Sequence, residues 1–238
     1  MKSEKVIENE EERVLKKRFA LTTSSILILF LLSLFFSFDF HPLVKGWLYR
    51  IGLSYRVQQF VKETVVPLFF IGMIVISGYN PFKWSRSRLE DLASKTGDML
   101  SVRRTKACVM VVLLWFFTGI ATCIECGFDI ARIREALKTL LTLYNFLYYI
   151  ITATFEEMLM KGMVYRTFSE LKVRRLLSMV FTSLIFAAIH IFTYQANYGL
   201  YVYFSLFVGS MYSLLVYNTY PSLLLVIVMH VVRNMLVI

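Results

Sequence analysis

Long runs of apolar residues, separated by short basic segments, dominate the chain. Residues 20–38 and 107–124 each lack a charged side chain, and residues 176–232 hold 57 residues without Asp, Glu, Lys or Arg. An α-helix needs about 20 apolar residues to cross the hydrocarbon layer of a bilayer. The pattern therefore predicts an all-α, polytopic membrane helix bundle.

Seven transmembrane helices account for these runs. The long C-terminal run breaks at two groups of turn-forming residues, Gln195–Gly199 and Asn218–Pro221. The second span is short, and an additional re-entrant segment is compatible with the pattern. The predicted spans lie near 20–38, 64–79, 107–124, 137–165, 176–194, 198–217 and 221–238.

The spans divide the chain into three predicted regions. Residues 1–19 form a polar tail, and residues 20–136 form an N-terminal membrane region with a basic connection at 80–106. We expect a surface helix near 88–100 within that connection. Residues 137–238 form a C-terminal membrane domain.

Composition and charge agree with a membrane location. The chain is 58% hydrophobic and 18% charged, whereas a soluble domain is nearer half apolar and a quarter charged. The net charge is +10, but the basic residues flank apolar runs and do not form one stripe, which argues against a nucleic-acid partner.

The distribution of basic residues predicts the orientation. With the N-terminus inside, the inner segments hold 18 Lys and Arg and the outer connections hold 7. Basic residues concentrate on the cytoplasmic side of membrane proteins. We therefore expect a multi-pass protein of the plasma membrane with a cytoplasmic N-terminus and with membrane lipids as partners.

Two adjacent carboxylates, Glu156 and Glu157, lie inside the fourth predicted span. Each costs about 2.5–3.5 kcal/mol if it is ionised near the bilayer centre, so a partner is needed. Glu157 precedes Lys161 by four residues, the favourable order for an ion pair on a helix. Glu156 has no charged residue one turn away on its own helix. Its partner must come from another helix or from water.

The later uncharged region contains two ionisable side chains, His190 and His230. Phe186 lies four residues before His190, and Asn234 lies four residues after His230, so each pair shares a helix face. A carboxylate beside a neutral imidazole can remove a proton from water. A second imidazole with a carboxamide offers donors to a developing oxyanion. These residues suit amide hydrolysis by activated water, without a covalent intermediate.

The sequence Glu156 to Gly162 resembles the EExxFRG motif of the CPBP (Abi) family of membrane proteins. Phe186 to His190 matches that family's FxxxH motif, and His230 to Asn234 matches its HxxxN motif. The family includes CAAX prenyl endopeptidases and bacteriocin-processing or self-immunity proteins. Two positions depart from the motif, because Met160 replaces Phe and Lys161 replaces Arg.

The resemblance implies a glutamate-dependent intramembrane endopeptidase that needs neither metal nor cofactor. By position, Glu156 resembles the general base that works with His190, and Glu157 resembles the partner of the basic residue, here Lys161. His230 and Asn234 resemble the oxyanion-stabilising pair, and Phe186 supports His190. The expected substrate is a peptide or protein at the membrane, either a prenylated CAAX tail or a bacterial leader, pheromone or bacteriocin peptide.

Three other functions use the same residue types. A non-catalytic immunity or scaffold protein would keep the fold and bind a partner in the membrane. Glu and His are also metal ligands, but there is no HExxH helix. A proton-coupled transporter also uses such residues, yet the chain shows no two-halves repeat. Nothing in the sequence indicates an oligomeric state.

Overall fold

The computed structural model describes residues 12–17, 19–28, 50, 52, 64–76, 80–97, 99–140, 142–190 and 200–236. Across these ranges the regular structure is helical, with no strand. Residues 12–17 and 19–28 are helical. The later helices are α1 (Val66–Ile76), α2 (Pro81–Thr96), α3 (Met99–Glu125), α4 (Ile130–Leu140), α5 (Leu143–Glu157), a π-helix (Met158–Tyr165), α6 (Arg166–Glu170), α7 (Arg175–Ile189), α8 (Leu200–Thr219) and α9 (Leu223–Leu236).

The chain forms two compact units. The first comprises residues 1–57 and 163–211, and the second comprises residues 58–162 and 212–238. In the second unit α9 packs against α5, α3 and α2, and α1 packs against α5. The Phe70 and Phe155 rings, 5.8 Å apart between centroids, lie at the contact between α1 and α5. The C-terminal helix therefore lies at the centre of the described helices of this unit.

Helix α2 begins earlier than the sequence predicts, at Pro81 instead of near residue 88. The side chain of Asn80 accepts a hydrogen bond from the Lys83 amide at 2.9 Å, and proline occupies the first helical position. This combination favours a helix start. Helix α2 ends at Gly97, where φ is +50°. Helix α3 then starts at Met99, so the last basic residues of the 80–106 segment belong to its first turns.

Two contacts from α3 fix the register of α9. The Trp115 indole N–H donates to the Met229 carbonyl oxygen at 3.1 Å, and the Thr122 hydroxyl bonds the Leu236 carbonyl oxygen. The second contact satisfies a carbonyl at the helix end, where no intrahelical donor is present. These bonds hold α9 at a defined height and rotation, which matters because α9 carries His230 and Asn234.

In the first unit, the helical residues 19–28 contact the chain around α6. The hydroxyls of Thr22 and Thr167 are 3.1 Å apart, and the Phe168 ring lies 5.8 Å from the Phe181 ring between centroids. An apolar cavity of about 480 Å³ lies between residues 19–28, α6 and the end of α7. Its volume falls in the range of small-molecule pockets.

Two described helices, α3 and α8, are long and apolar enough to cross a membrane. Helix α3 keeps much of its apolar surface exposed: Phe116 is 60% exposed and Phe117 is 63% exposed. Helices α7 and α9 are apolar but shorter. The all-helical prediction is confirmed, whereas the seven-span count stays a prediction, because much of the first span lies outside the described residues.

Candidate functional site

The helix that carries both glutamates changes its geometry directly after them. Helix α5 ends at Glu157, and the chain continues as a π-helix from Met158 to Tyr165. Hydrogen bonds in a π-helix span five residues, and such segments frequently occur at functional sites. The sequence predicts one continuous helix here and gives no signal of the wider turn.

Gly162 lets the π-helix lie against the start of α2. A Cβ placed on Gly162 would be 2.3 Å from the Pro81 Cβ, far inside the contact distance of two carbon atoms. Glycine is thus required at this close approach. The contact holds the glutamate segment against α2.

Glu157 and Lys161 form a buried ion pair. Glu157 is 3% exposed and Lys161 is 2% exposed. The contact that the four-residue spacing predicts is therefore confirmed. A buried carboxylate needs both charge compensation and hydrogen bonds. The second requirement is met by His230, whose Nδ1 lies 2.9 Å from Oε1 of Glu157.

His230 also lies beside the other glutamate. Its Nε2 is 3.4 Å from Oε2 of Glu156, whose side chain is 17% exposed. The sequence requires a partner for Glu156 from another helix or from water, and α9 supplies one. His230 thus stands between two carboxylates, one fully enclosed and one that keeps some exposure.

Both ring nitrogens of His230 face a carboxylate oxygen. A neutral imidazole has only one N–H, so it can donate a hydrogen bond to only one of the two glutamates at a time. The imidazole therefore connects Glu156 to the buried Glu157–Lys161 pair.

His190 caps the C-terminus of α7 in the first unit. Its Nδ1 lies 2.7 Å from the Phe186 carbonyl oxygen, and the two rings are 4.4 Å apart between centroids. A carbonyl only accepts, so Nδ1 carries the hydrogen and Nε2 of the neutral ring carries the lone pair. In this tautomer Nε2 can accept a hydrogen bond from a water molecule. The four-residue spacing of the FxxxH motif thus places the His190 ring beside the Phe186 carbonyl oxygen that fixes its tautomer.

The structure brings four of the predicted site residues into contact: Glu156, Glu157, Lys161 and His230. Asn234 lies one turn after His230 on α9 and is partly exposed. His190 and Phe186 belong to the other unit. Sequence reasoning paired Glu156 with His190 and did not predict that His230 contacts both carboxylates, since contacts between distant helices depend on tertiary packing.

Part of the chain is similar to a known protein family. Residues 138–236 match the sequence model of the family described as type II CAAX prenyl endopeptidase Rce1-like. The matched range contains every predicted site residue, and it agrees with the resemblance drawn from the three motifs. No curated protein and no solved structure matches the chain.

Proposed function

We propose that this protein is an intramembrane endopeptidase that uses glutamate-activated water. Its residues 138–236 match the model of the Rce1-like type II CAAX prenyl endopeptidase family. At the family level the match indicates a CAAX-protease-type membrane endopeptidase. The observation that carries the finer proposal is the pairing of Glu156 with His230 at 3.4 Å beside a buried, charge-compensated Glu157.

In the proposed reaction the Glu156 carboxylate removes a proton from water. The resulting hydroxide attacks the carbonyl carbon of the scissile amide and forms a tetrahedral oxyanion. Glu156 then returns the proton to the amide nitrogen, the C–N bond breaks, and a carboxylate and an amine leave. A positioned general base of this kind contributes about 10²–10⁴-fold to the rate.

His230 and Asn234 are the proposed donors to the oxyanion. His230 is held by Glu157, which is itself held by Lys161, so the imidazole has a defined orientation before substrate binds. Donors that are oriented in advance stabilise developing charge most effectively. The part of His190 in water activation stays a proposal, supported by its motif and by its Nε2 lone pair.

The apolar cavity of the first unit supports a lipid-modified peptide as substrate. Its lining ends at Ile189, the residue before His190, and its walls are almost entirely apolar. An isoprenoid chain is apolar, as this lining is, whereas a polar leader peptide would gain no favourable burial of apolar surface in such a pocket. We therefore propose a prenylated peptide ahead of an unmodified one.

The test is proteolysis by the full chain reconstituted in lipid nanodiscs. The probes are a farnesylated peptide with a CAAX end and the same peptide without the farnesyl group, followed by mass spectrometry of the products. We expect cleavage of the farnesylated probe, loss of cleavage in Glu156→Gln, and an unchanged rate in a strong metal chelator.

Glu170→Gln is the matched control variant, since Glu170 is also a helical glutamate paired four residues away, with Arg166. It should cleave at the wild-type rate. If the wild-type protein cleaves neither probe, comparison of peptides from cells carrying wild type or Glu156→Gln must show an uncut precursor. Failure of both experiments would favour the non-catalytic immunity or scaffold function.

A further inference from the structure

The hydroxyl of Thr152 is the one feature of the α5 face around Glu156 that the proposed reaction leaves unexplained. Its Oγ1 is shielded from solvent and has no hydrogen-bond partner within the described part of the chain. A buried hydroxyl without a hydrogen-bond partner is unfavourable, because it has lost its bonds to water and gained none in the protein. A buried hydroxyl without a hydrogen-bond partner therefore requires an explanation, and a role in a functional site is a common explanation.

Four other helical threonines of this protein satisfy their hydroxyls within their own helix. Thr96, Thr118, Thr182 and Thr219 each donate to the carbonyl oxygen four residues earlier, at 2.7–2.9 Å. Thr152 makes no such bond to Tyr148, the corresponding residue. The backbone of α5 therefore does not satisfy the Thr152 hydroxyl.

Thr152 lies four residues before Glu156 and shares its helix face. Helical side chains lean toward the N-terminus, so the Glu156 carboxylate lies over the turn that contains Thr152. No direct hydrogen bond joins the two groups. Two polar groups on one helix face that share no direct hydrogen bond can be bridged by a single water molecule.

We infer that the Thr152 hydroxyl holds the water molecule that Glu156 deprotonates. Thr152 Oγ1 accepts one O–H of the water, the Glu156 carboxylate accepts the other and takes that proton, and the remaining lone pair of the water attacks the scissile carbonyl carbon. Thr152 neither gains nor loses a proton in this step. The inference rests on the proposed function and adds a water-positioning residue to it.

The test compares three variants in nanodiscs with the peptide that the wild-type protein cleaves. Thr152→Val keeps the shape and removes the hydroxyl, and Thr152→Ser restores the hydroxyl. Thr182→Val is the control, because Thr182 is also buried and its hydroxyl bonds only its own helix. For each variant kcat, KM and the melting temperature are measured on the same preparation.

We expect Thr152→Val to lose about 10- to 100-fold in kcat, the usual size of one hydrogen bond to a reacting group, with KM changed less than about twofold. Thr152→Ser should return to within about threefold of wild type, and Thr182→Val should keep the wild-type kcat. The melting temperature of Thr152→Val should stay close to that of wild type, because valine keeps the shape and the hydroxyl bonds no protein group in the described part of the chain. A purely structural role would not combine intact stability with lost turnover.

Wild-type kcat in Thr152→Val, with Glu156→Gln inactive, would overturn the inference and leave the proposed peptidase intact. If Thr152→Val does not fold, Thr152→Ala takes its place and must be rescued by Thr152→Ser for the inference to stand. Equal cleavage by wild type and Glu156→Gln would overturn the proposed function itself, and this inference with it.

Discussion

Lys161 carries its ammonium group inside the second unit, where only 2% of the residue is exposed. Its partner Glu157 is nearly as enclosed, and His230 depends on the same carboxylate for its orientation. Removing one partner of a buried pair leaves an uncompensated charge, which is more costly than removing both. The pair is therefore a structural support for His230 as well as an ion pair.

Replacing Lys161 with Met should destabilise the protein by about 3–5 kcal/mol, because Glu157 would be left buried beside His230 without its cation. The measurement is the melting temperature in detergent and the amount that accumulates in membranes. The double variant Glu157→Gln/Lys161→Met should recover much of the loss. An equal loss in the single and double variants would contradict the pairing argument.

Contacts within one helix were predictable at the residue scale. Residue spacing alone predicted the Glu157–Lys161 pair and the shared faces of Phe186 with His190 and of His230 with Asn234. The 3.4 Å approach of His230 to Glu156 was not predictable, since it depends on how α9 packs against α5. Spacing determines which side chains share a face, but not which face meets which helix.

At the scale of elements, the π-helix and its glycine position the glutamates. The π-helix begins directly after Glu157, and Gly162 brings it against Pro81 at the start of α2. The start of α2 is held in turn by Ser85, whose hydroxyl donates to the Pro221 carbonyl oxygen at 2.7 Å and accepts from the Leu223 amide at 3.0 Å. Helix α2 therefore contacts both elements that carry the site.

Replacing Gly162 with Ala should destabilise the protein by about 1–3 kcal/mol, because the new methyl group meets the rigid Pro81 ring. Gly119→Ala in α3 is the matched control, because a Cβ there has no atom within 4 Å. The control should be neutral or gain up to about 1 kcal/mol from helix propensity. Thermal unfolding of both variants measures the difference, and equal stability would contradict the close approach.

The sequence predicts where most of these helices lie but does not predict where they begin or are interrupted. The Asn80–Pro81 pair reads as a break between spans, whereas in the structure it begins α2. The 137–165 span is interrupted, and α5 starts afresh at Leu143 with Thr142 as its N-cap. Cap residues and turn residues are the same types, so a single sequence does not separate a loop from a helix start.

At the scale of the whole molecule, the exposed apolar face of α3 is the feature that best supports contact with lipid. Phe116, Phe117 and Ile124 are each at least 59% exposed on a helix long enough to cross a bilayer. Exposed apolar surface of this extent marks a site of contact with a membrane or another protein. The basic residues at the start of α3 and along α2 should then lie at the cytoplasmic surface.

Cysteine labelling tests this arrangement in a variant from which Cys108, Cys123 and Cys126 have been removed. Phe117→Cys should resist a water-soluble maleimide, because its thiol would face lipid. Arg86→Cys on α2, an exposed position, should react in inside-out vesicles but not in intact cells. Rapid labelling of Phe117→Cys, or labelling of Arg86→Cys from outside, would contradict the predicted membrane placement.

The most direct measurement of the central claim is the turnover of purified wild-type and Glu156→Gln protein on a peptide that the wild type cleaves. Glutamine keeps the size of the side chain but accepts no proton, so we predict a fall in kcat of at least about 10²-fold with KM little changed. Wild-type turnover by Glu156→Gln, in a protein of unchanged melting temperature, would contradict glutamate-activated water as the mechanism.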